Sequence, residues 1–136
     1  MLNYTNKKSL WIHHVDTISD LVVDLENEYM YSASWDKTLK LWRIIDFHCI
    51  ESFRPHDDAI NALILSSEGA LYTTFADSKI NIWAKASCEG EHSFVTNLHK
   101  HKSTINSLAP STDGSIIYSR GCNQSVITWK KDIAKE

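Results

Sequence analysis

YSASWDKTLKLWR, residues 31–43, sets a hydroxyl at Ser32, a carboxylate at Asp36 and an indole at Trp42, four and then six residues apart. Around this ladder the chain alternates. Leu39 and Leu41 flank Lys40, and Asp-Lys-Thr breaks the run in the middle. That texture is two short strands joined by a turn. The same ladder returns twice, as Thr73, Asp77 and Trp83 and as Ser119, Asn123 and Trp129. A tyrosine precedes each hydroxyl, at Tyr31, Tyr72 and Tyr118. Reading back toward the N-terminus, each ladder has a histidine (His14, His56, His101). Isoleucine follows it four residues on (Ile18, Ile60, Ile105) and leucine seven on (Leu21, Leu63, Leu108). Thirteen after each histidine stands a residue tolerant of positive φ: Asn27, Gly69 or Gly114.

From histidine to tryptophan the three copies measure 28, 27 and 28 residues, and the histidines stand 42 and 45 apart. The one missing residue falls between Gly69 and Tyr72, in a turn. A period of this length marks stacked supersecondary units, none of which buries its apolar face alone. Within each copy the runs are short and rich in β-branched and aromatic residues. They are ISDLVVD, YMYSASW, TLKLWRI and CIESF, then INALILS, ALYTTF, KINIWAK and HSFVTNL, then INSLAPS, SIIYSR and SVITWK. No stretch keeps a 3.6-residue period over three turns, so the expected class is all-β.

Four short strands per copy of just over 40 residues resemble the WD40 repeat, whose blades build a β-propeller. The resemblance runs from about Leu10 to Lys131. Its sharpest segments, SWDKTLKLWR, HDDAINA and HKSTINSLA, are similar to the plant WD40 proteins of the JINGUBANG type. The Trp-Asp pair that names the family closes the third strand of a repeat. Here that strand ends in Trp42-Arg43, Trp83-Ala84 and Trp129-Lys130, so no copy carries the pair there. Trp35-Asp36 lies earlier, and Asp36 matches the family's turn aspartate. The resemblance implies about three four-stranded antiparallel blades, an incomplete propeller arc. Residues 1–13 would be the last strand of a preceding blade, since Leu10-Trp11-Ile12 aligns with Ser52-Phe53-Arg54. Repeats would cover 14–54, 56–98 and 101–131, the third without its outer strand, followed by a tail at 132–136. The expectation is a fragment of a larger propeller. Open blade edges would give it a route to self-association, including two chains completing a ring.

The resemblance also implies a polar network in each blade. Indole N–H is a donor only, a hydroxyl accepts and donates onward, and imidazole bridges to a carboxylate. The first network would use Trp42, Ser32, His14 and Asp36. The second would use Trp83, Thr73, His56 and Asp77, and the third Trp129, Ser119, His101 and Asn123. Recurrence in every copy marks these groups as structural rather than catalytic. Asn123 replaces the charged acceptor, and charge-assisted bonds are about twice as strong as neutral ones. The third blade is therefore expected to be the weakest. Arg120, standing where the first copy has Ala33, adds to that expectation.

The chain has 136 residues, 43% hydrophobic and 23% charged, with net charge −3 and pI near 6.1. This gives no electrostatic case for nucleic acid or an anionic membrane as the main partner. Three widely spaced cysteines (Cys49, Cys88, Cys122) read as reduced thiols of a cytoplasmic and/or nuclear protein. Binding is expected at the rim of the central channel, from the residues three and five after each histidine and the residue before the turn Asp. These are Thr17, Ser19 and Trp35; Ala59, Asn61 and Ala76; Thr104, Asn106 and Cys122. Trp35 is the expected anchor. The expected function is a non-enzymatic protein–protein interaction scaffold with a regulatory role in a plant. Its partner would be a protein or peptide such as a transcription regulator, and no cofactor is expected. One rival is a degenerate truncated product without binding activity. The other is a zinc-dependent hydrolase using Cys88, His92, His99 and His101, although these spacings match no familiar zinc pattern.

Overall fold

The computed structural model describes residues 13–55, 57–85 and 92–131. Among them lie eleven strands: β1 (Ile18–Asp24), β2 (Tyr29–Ser34), β3 (Leu39–Arg43), β4 (His48–Phe53), β5 (Ile60–Leu65), β6 (Leu71–Phe75), β7 (Lys79–Lys85), β8 (His92–His99), β9 (Ile105–Pro110), β10 (Ile116–Gly121) and β11 (Val126–Lys130). They form three antiparallel meanders in chain order, two of four strands and one of three. The class is all-β, and the sheets are the blades of an incomplete propeller arc. β1 lies against β5 and β5 against β9, so the first strand of each sheet lines the axis about which the sheets fan.

The turns explain the repeated acid. Asp36 Oδ1 accepts the Thr38 N–H at 2.8 Å, and Asp77 Oδ1 accepts the Lys79 N–H at 3.2 Å. A short side chain bonding two residues on is what lets the chain reverse here. The residue after each acid or amide sits in the left-handed region: Lys37 (φ 74°), Ser78 (φ 68°) and Gln124 (φ 66°). The other hairpin turn departs from the sequence expectation. Gly69 and Gly114 have φ of 85° and 74°, but in the first copy the positive φ falls on Glu28 (60°), not on Asn27. The Asp24 carboxylate holds the Asn27 backbone and side-chain N–H groups at 3.2 and 2.8 Å, which displaces the left-handed residue by one position.

Each blade's first strand carries a bulge at the same repeat position. Pairing skips Ser19, Asn61 and Asn106 in turn. A bulge re-aims the extra side chain. Ser19 Oγ donates to the Ile60 carbonyl at 2.5 Å, and Asn61 Nδ2 donates to the Ile105 carbonyl at 3.2 Å. Each is a staple to the next blade.

The core lies between the sheets. Tyr31, Ala33, Leu39 and Leu41 of the first sheet meet Ile60, Leu63, Leu71 and Phe75 of the second. Ile64, Tyr72 and Ile80 of the second meet Ile105 and Ile117 of the third. The period-2 alternation of a strand thus serves two seams in the middle sheet.

Candidate functional site

In the first blade the structure brings Trp42, Ser32, His14 and Asp36 into one chain of bonds. Trp42 Nε1–H donates to Ser32 Oγ at 2.9 Å, and Ser32 Oγ lies 2.7 Å from His14 Nε2. His14 Nδ1 lies 3.0 Å from Asp36 Oδ2. A carboxylate only accepts, so Nδ1 carries the proton and Ser32 donates to Nε2. Burial works to raise the Asp36 pKa, but bonds from the Thr38 side chain and backbone, the Val15 N–H and His14 outweigh it and bring it to about 2. The stability this supplies is present above the ordinary 3.8 and is lost as pH falls toward 2.

The second and third networks differ from the first. Trp83 Nε1–H donates to Thr73 Oγ1 at 3.0 Å, while His56 lies outside the described residues. Asp77 is exposed. In the third blade Trp129 donates to Ser119 at 2.8 Å, and Ser119 Oγ lies 2.6 Å from His101 Nε2. His101 Nδ1 then meets Ser125 Oγ at 3.3 Å, and Ser125 donates to Asn123 Oδ1 at 2.5 Å. The amide is therefore reached through a hydroxyl, not directly. Burial lowers the His101 pKa, with the Ser119 contact working the other way. A depressed histidine pKa means the unfolded chain binds the proton better, so this blade loses stability as pH falls below the ordinary 6.5. Asn123→Asp should stabilise the protein by about 0.5–1 kcal/mol at pH 7 and blunt its loss between pH 7 and 5.5. Thermal melts at both pH values check this; an unchanged melt at both would count against the charge argument.

Of the residues expected at the rim, Trp35 is 51% exposed, and Val15, next to the network histidine, is 90% exposed. The Asp36 turn positions both. Val15 N–H donates to Asp36 Oδ2 at 3.1 Å, and Trp35 N–H donates to the Thr17 carbonyl at 2.9 Å. The third blade repeats the second bond, from Cys122 N–H to the Thr104 carbonyl at 2.9 Å. Thr104 Oγ1 also donates to the Ala76 carbonyl at 3.1 Å, so the residue three after one histidine abuts the pre-turn residue of the blade before. Thr17, Ala76, Asn106 and Cys122 are exposed, and Ala59 and Thr104 are half-buried. Ser19 and Asn61 depart from the expected rim placement. Simple alternation assigns them there, but the bulge turns them into the seams, where their donors are engaged. Asn106, at the same position in the third sheet, donates to Cys122 Sγ at 3.0 Å.

The residues of the zinc alternative do not come together among the described residues. His92 and His99 stand at opposite ends of β8, about 23 Å apart at strand rise. His92 Nδ1 lies 2.8 Å from Glu51 Oε2, His99 Nε2 lies 3.4 Å from Ser78 Oγ, and His101 is in its blade network. Cys88 lies outside the described residues. Sequence reasoning missed the Glu51–His92–Tyr31 group. Its imidazole is fully buried, Tyr31 Oη lies 3.2 Å from Nε2, and Phe53 stacks on the ring at 5.7 Å. Burial first, then the charges of Asp24, Glu51 and Tyr29, push the Tyr31 hydroxyl up to about 12, so it stays a donor. The group clamps β4 to β8 at one seam, and no repeat counterpart advertises it.

Comparison with known proteins agrees with this architecture. The WD40 family (WD domain, G-beta repeat) matches residues 6–43, 47–84 and 92–130. An uncharacterized WD repeat-containing protein of Schizosaccharomyces pombe is 26% identical over 113 residues, covering 82% of this chain and 30% of that protein. Myosin heavy chain kinase D of Dictyostelium discoideum is 31% identical over 55 residues, covering 40% of this chain and 6% of that protein. The chain thus spans less than a third of the length of either relative. With the family matched along most of its length and three fanned antiparallel sheets, each holding an indole on a buried hydroxyl, the chain belongs to the WD40 repeat family.

Proposed function

We propose that this chain is a non-enzymatic protein-interaction scaffold, and that its partner anchors on Trp35 at the rim of the first blade. The observation that carries this is an indole half in solvent whose backbone is fixed on both sides. Trp35 N–H is bonded to Thr17, and the next residue, Asp36, is held in the Thr38–Val15–His14 network. A rigid exposed Trp offers contact area at little conformational cost, which is what hot spots share. The partner is a protein or peptide. Asp16 and Asp58 flank the rim as turn caps, accepting the Thr17 and Ala59 N–H groups at 2.6 and 2.8 Å. They favour a partner with basic side chains. Likeness of SWDKTLKLWR and HKSTINSLA to the plant JINGUBANG type supports a regulatory role, with a transcription regulator as partner in cytoplasm or nucleus. Free thiols at Cys49 and Cys122 suit those compartments.

Trp35→Ala should weaken capture of partners on the immobilised protein by roughly 30-fold or more, the weight of a hot-spot residue of about 2 kcal/mol. Circular dichroism should stay unchanged, because the side chain is half exposed. Equal capture by wild type and variant would remove Trp35 as the anchor.

A further inference from the structure

The turn between the second and third strands of a blade is capped differently in the first and third blades. In the first, Asp36 N–H donates to Ser34 Oγ at 3.0 Å, and Ser34 is 0% exposed within β2. The third blade has Gly121 at that position, two residues after its network serine. There Asn123 N–H donates to Ser103 Oγ at 3.1 Å instead. Ser103 belongs to residues 100–104, which connect β8 to β9. Its Oγ stands 3.1 Å from the point that a β-carbon on Gly121 would occupy. His101 Nδ1 and Asn123 Oδ1 lie 2.8 and 2.9 Å from the same point. The loop hydroxyl thus fills the nook that the glycine leaves open. Moving the cap from strand to loop changes its access. Ser34 is sealed inside its sheet. Ser103 is half-buried, in a segment without strand pairing, and follows the exposed Lys100 and Lys102. Surface connections of this kind are where modifying enzymes reach a folded chain.

We propose that Ser103 is a phosphorylation site for a serine/threonine kinase that selects basic residues ahead of its acceptor, and that the phosphate releases the turn of the third blade. Lys100 and Lys102 supply cations three positions and one position before the hydroxyl, the kind of charge pattern by which kinases tell substrates apart. Ser103 Oγ attacks the γ-phosphorus of a nucleoside triphosphate held by the kinase. The Oγ–P bond forms as the bond to the β,γ-bridging oxygen breaks. A nucleoside diphosphate leaves with that electron pair, and the hydroxyl proton passes to a carboxylate of the kinase. The product carries about −1.5 to −2 charges. The nook cannot take it, because three polar atoms already lie within 3.1 Å of one point there. Its walls also face the wrong way. Asn123 presents Oδ1, an acceptor, and Ser125 donates its proton to that oxygen, so His101 Nδ1–H is given to Ser125 Oγ at 3.3 Å. An anion against an acceptor in a half-buried site is repelled, whereas outside the nook both lysines can pair with it. Residues 100–104 therefore turn outward. Release frees Asn123 N–H and breaks two more bonds of the same segment. These run from Cys122 N–H to the Thr104 carbonyl at 2.9 Å and from Thr104 Oγ1 to the Ala76 carbonyl at 3.1 Å. The switch goes beyond the Trp35 anchor and holds whatever partner that anchor takes.

The test uses the folded full chain with magnesium ATP and either cyclic-AMP-dependent kinase or protein kinase C, both selective for basic residues near the acceptor. Mass spectrometry should map the phosphate to Ser103, and Ser103→Ala should lose nearly all of the incorporation. On the phosphorylated chain, hydrogen exchange at the Asn123 and Cys122 amides should speed up by about tenfold or more, with the amides of β5 to β7 unchanged. Ser103→Ala removes the cap without adding charge, so it should speed Asn123 and leave Cys122 protected. Ser103→Ala with Gly121→Ser returns the hydroxyl to the strand, as in the first blade. That variant should recover the Asn123 protection and take no phosphate. No incorporation at Ser103 with either kinase overturns the site, as does phosphate placed on Thr104 or Ser125 instead, or incorporation that needs prior unfolding in urea. A phosphorylated chain whose Asn123 and Cys122 amides stay as protected as before overturns the release.

Discussion

Leu63→Ala should destabilise the protein by about 2–5 kcal/mol, the range for deleting a fully buried leucine, whereas Leu21→Ala should stay within about 0.5 kcal/mol, as exposed substitutions do. Both leucines stand seven residues after the repeat histidine and pair with the network hydroxyl of their blade, Ser32 for Leu21 and Thr73 for Leu63. Only their surroundings differ. Leu63 is 1% exposed and lies in one cluster with Tyr31, Leu39 and Leu41 across the first seam and with Leu71 and Phe75 of its own sheet. Its truncation removes contacts from both sheets at once and leaves a void that a staple and a clamp hold open: Ser19 to Ile60 on the inner side, Glu51 to His92 on the outer. Because blades contact only their neighbours, loss at this seam weakens the coupling between the first blade and the rest. Urea denaturation of both variants checks the contrast through the transition midpoint. Equal losses would mean that Leu21 is covered in solution.

The same pair of leucines shows what the sequence could and could not convey. Strand positions were legible because alternation and turn residues are local: the Asp36 and Asp77 turns, the Tyr-hydroxyl steps and the Trp-ended third strands fall within single hairpins. Blade membership was legible because the copies repeat. Exposure was not, since Ile18 and Ile60 are the same residue in the same local pattern yet are 51% and 0% exposed, a difference set by what packs on each from distant parts of the chain. The bulges escaped for a related reason. Skipping one residue reverses every alternation argument beyond it, and nothing in Ser19 or Asn61 announces that it leaves the ladder. Asn27 looked like the left-handed residue on propensity alone, and the Asp24 carboxylate overrode that propensity. His92 drew notice only for its nearness in sequence to Cys88 and His99, a cluster whose spacings match no familiar zinc pattern. Its true partners, Glu51 and Tyr31, come from the neighbouring blade, 41 and 61 residues away.

Ser32→Ala should cost about 3 kcal/mol, while Ser32→Thr should cost under about 1 kcal/mol, because Thr73 already serves at that position in the second blade. The hydroxyl has two duties at once. It accepts from Trp42, whose ring is 2% exposed, and donates to His14, 8% exposed. Removing it orphans a donor and an acceptor where water does not reach, and each orphan costs about 1–3 kcal/mol. The loss is larger than that of an ordinary hydrogen bond because neither group regains its solvent partner. Adding Trp42→Phe to Ser32→Ala relieves the indole donor but leaves His14 Nε2 unmet. The double variant should therefore be less destabilised than the sum of the single changes by at least about 1 kcal/mol, the coupling expected of residues in one network. Ser119→Ala in the third blade should cost less than Ser32→Ala, since Trp129 is only half-buried and the outer end of that network, Asn123, is exposed. Chemical denaturation of Ser32→Ala, Ser32→Thr, Trp42→Phe, the double variant and Ser119→Ala settles the order. A Ser32→Ala protein that melts with the wild type would show that the indole and imidazole are satisfied without the hydroxyl, and additive losses for Ser32 and Trp42 would show that the two act separately.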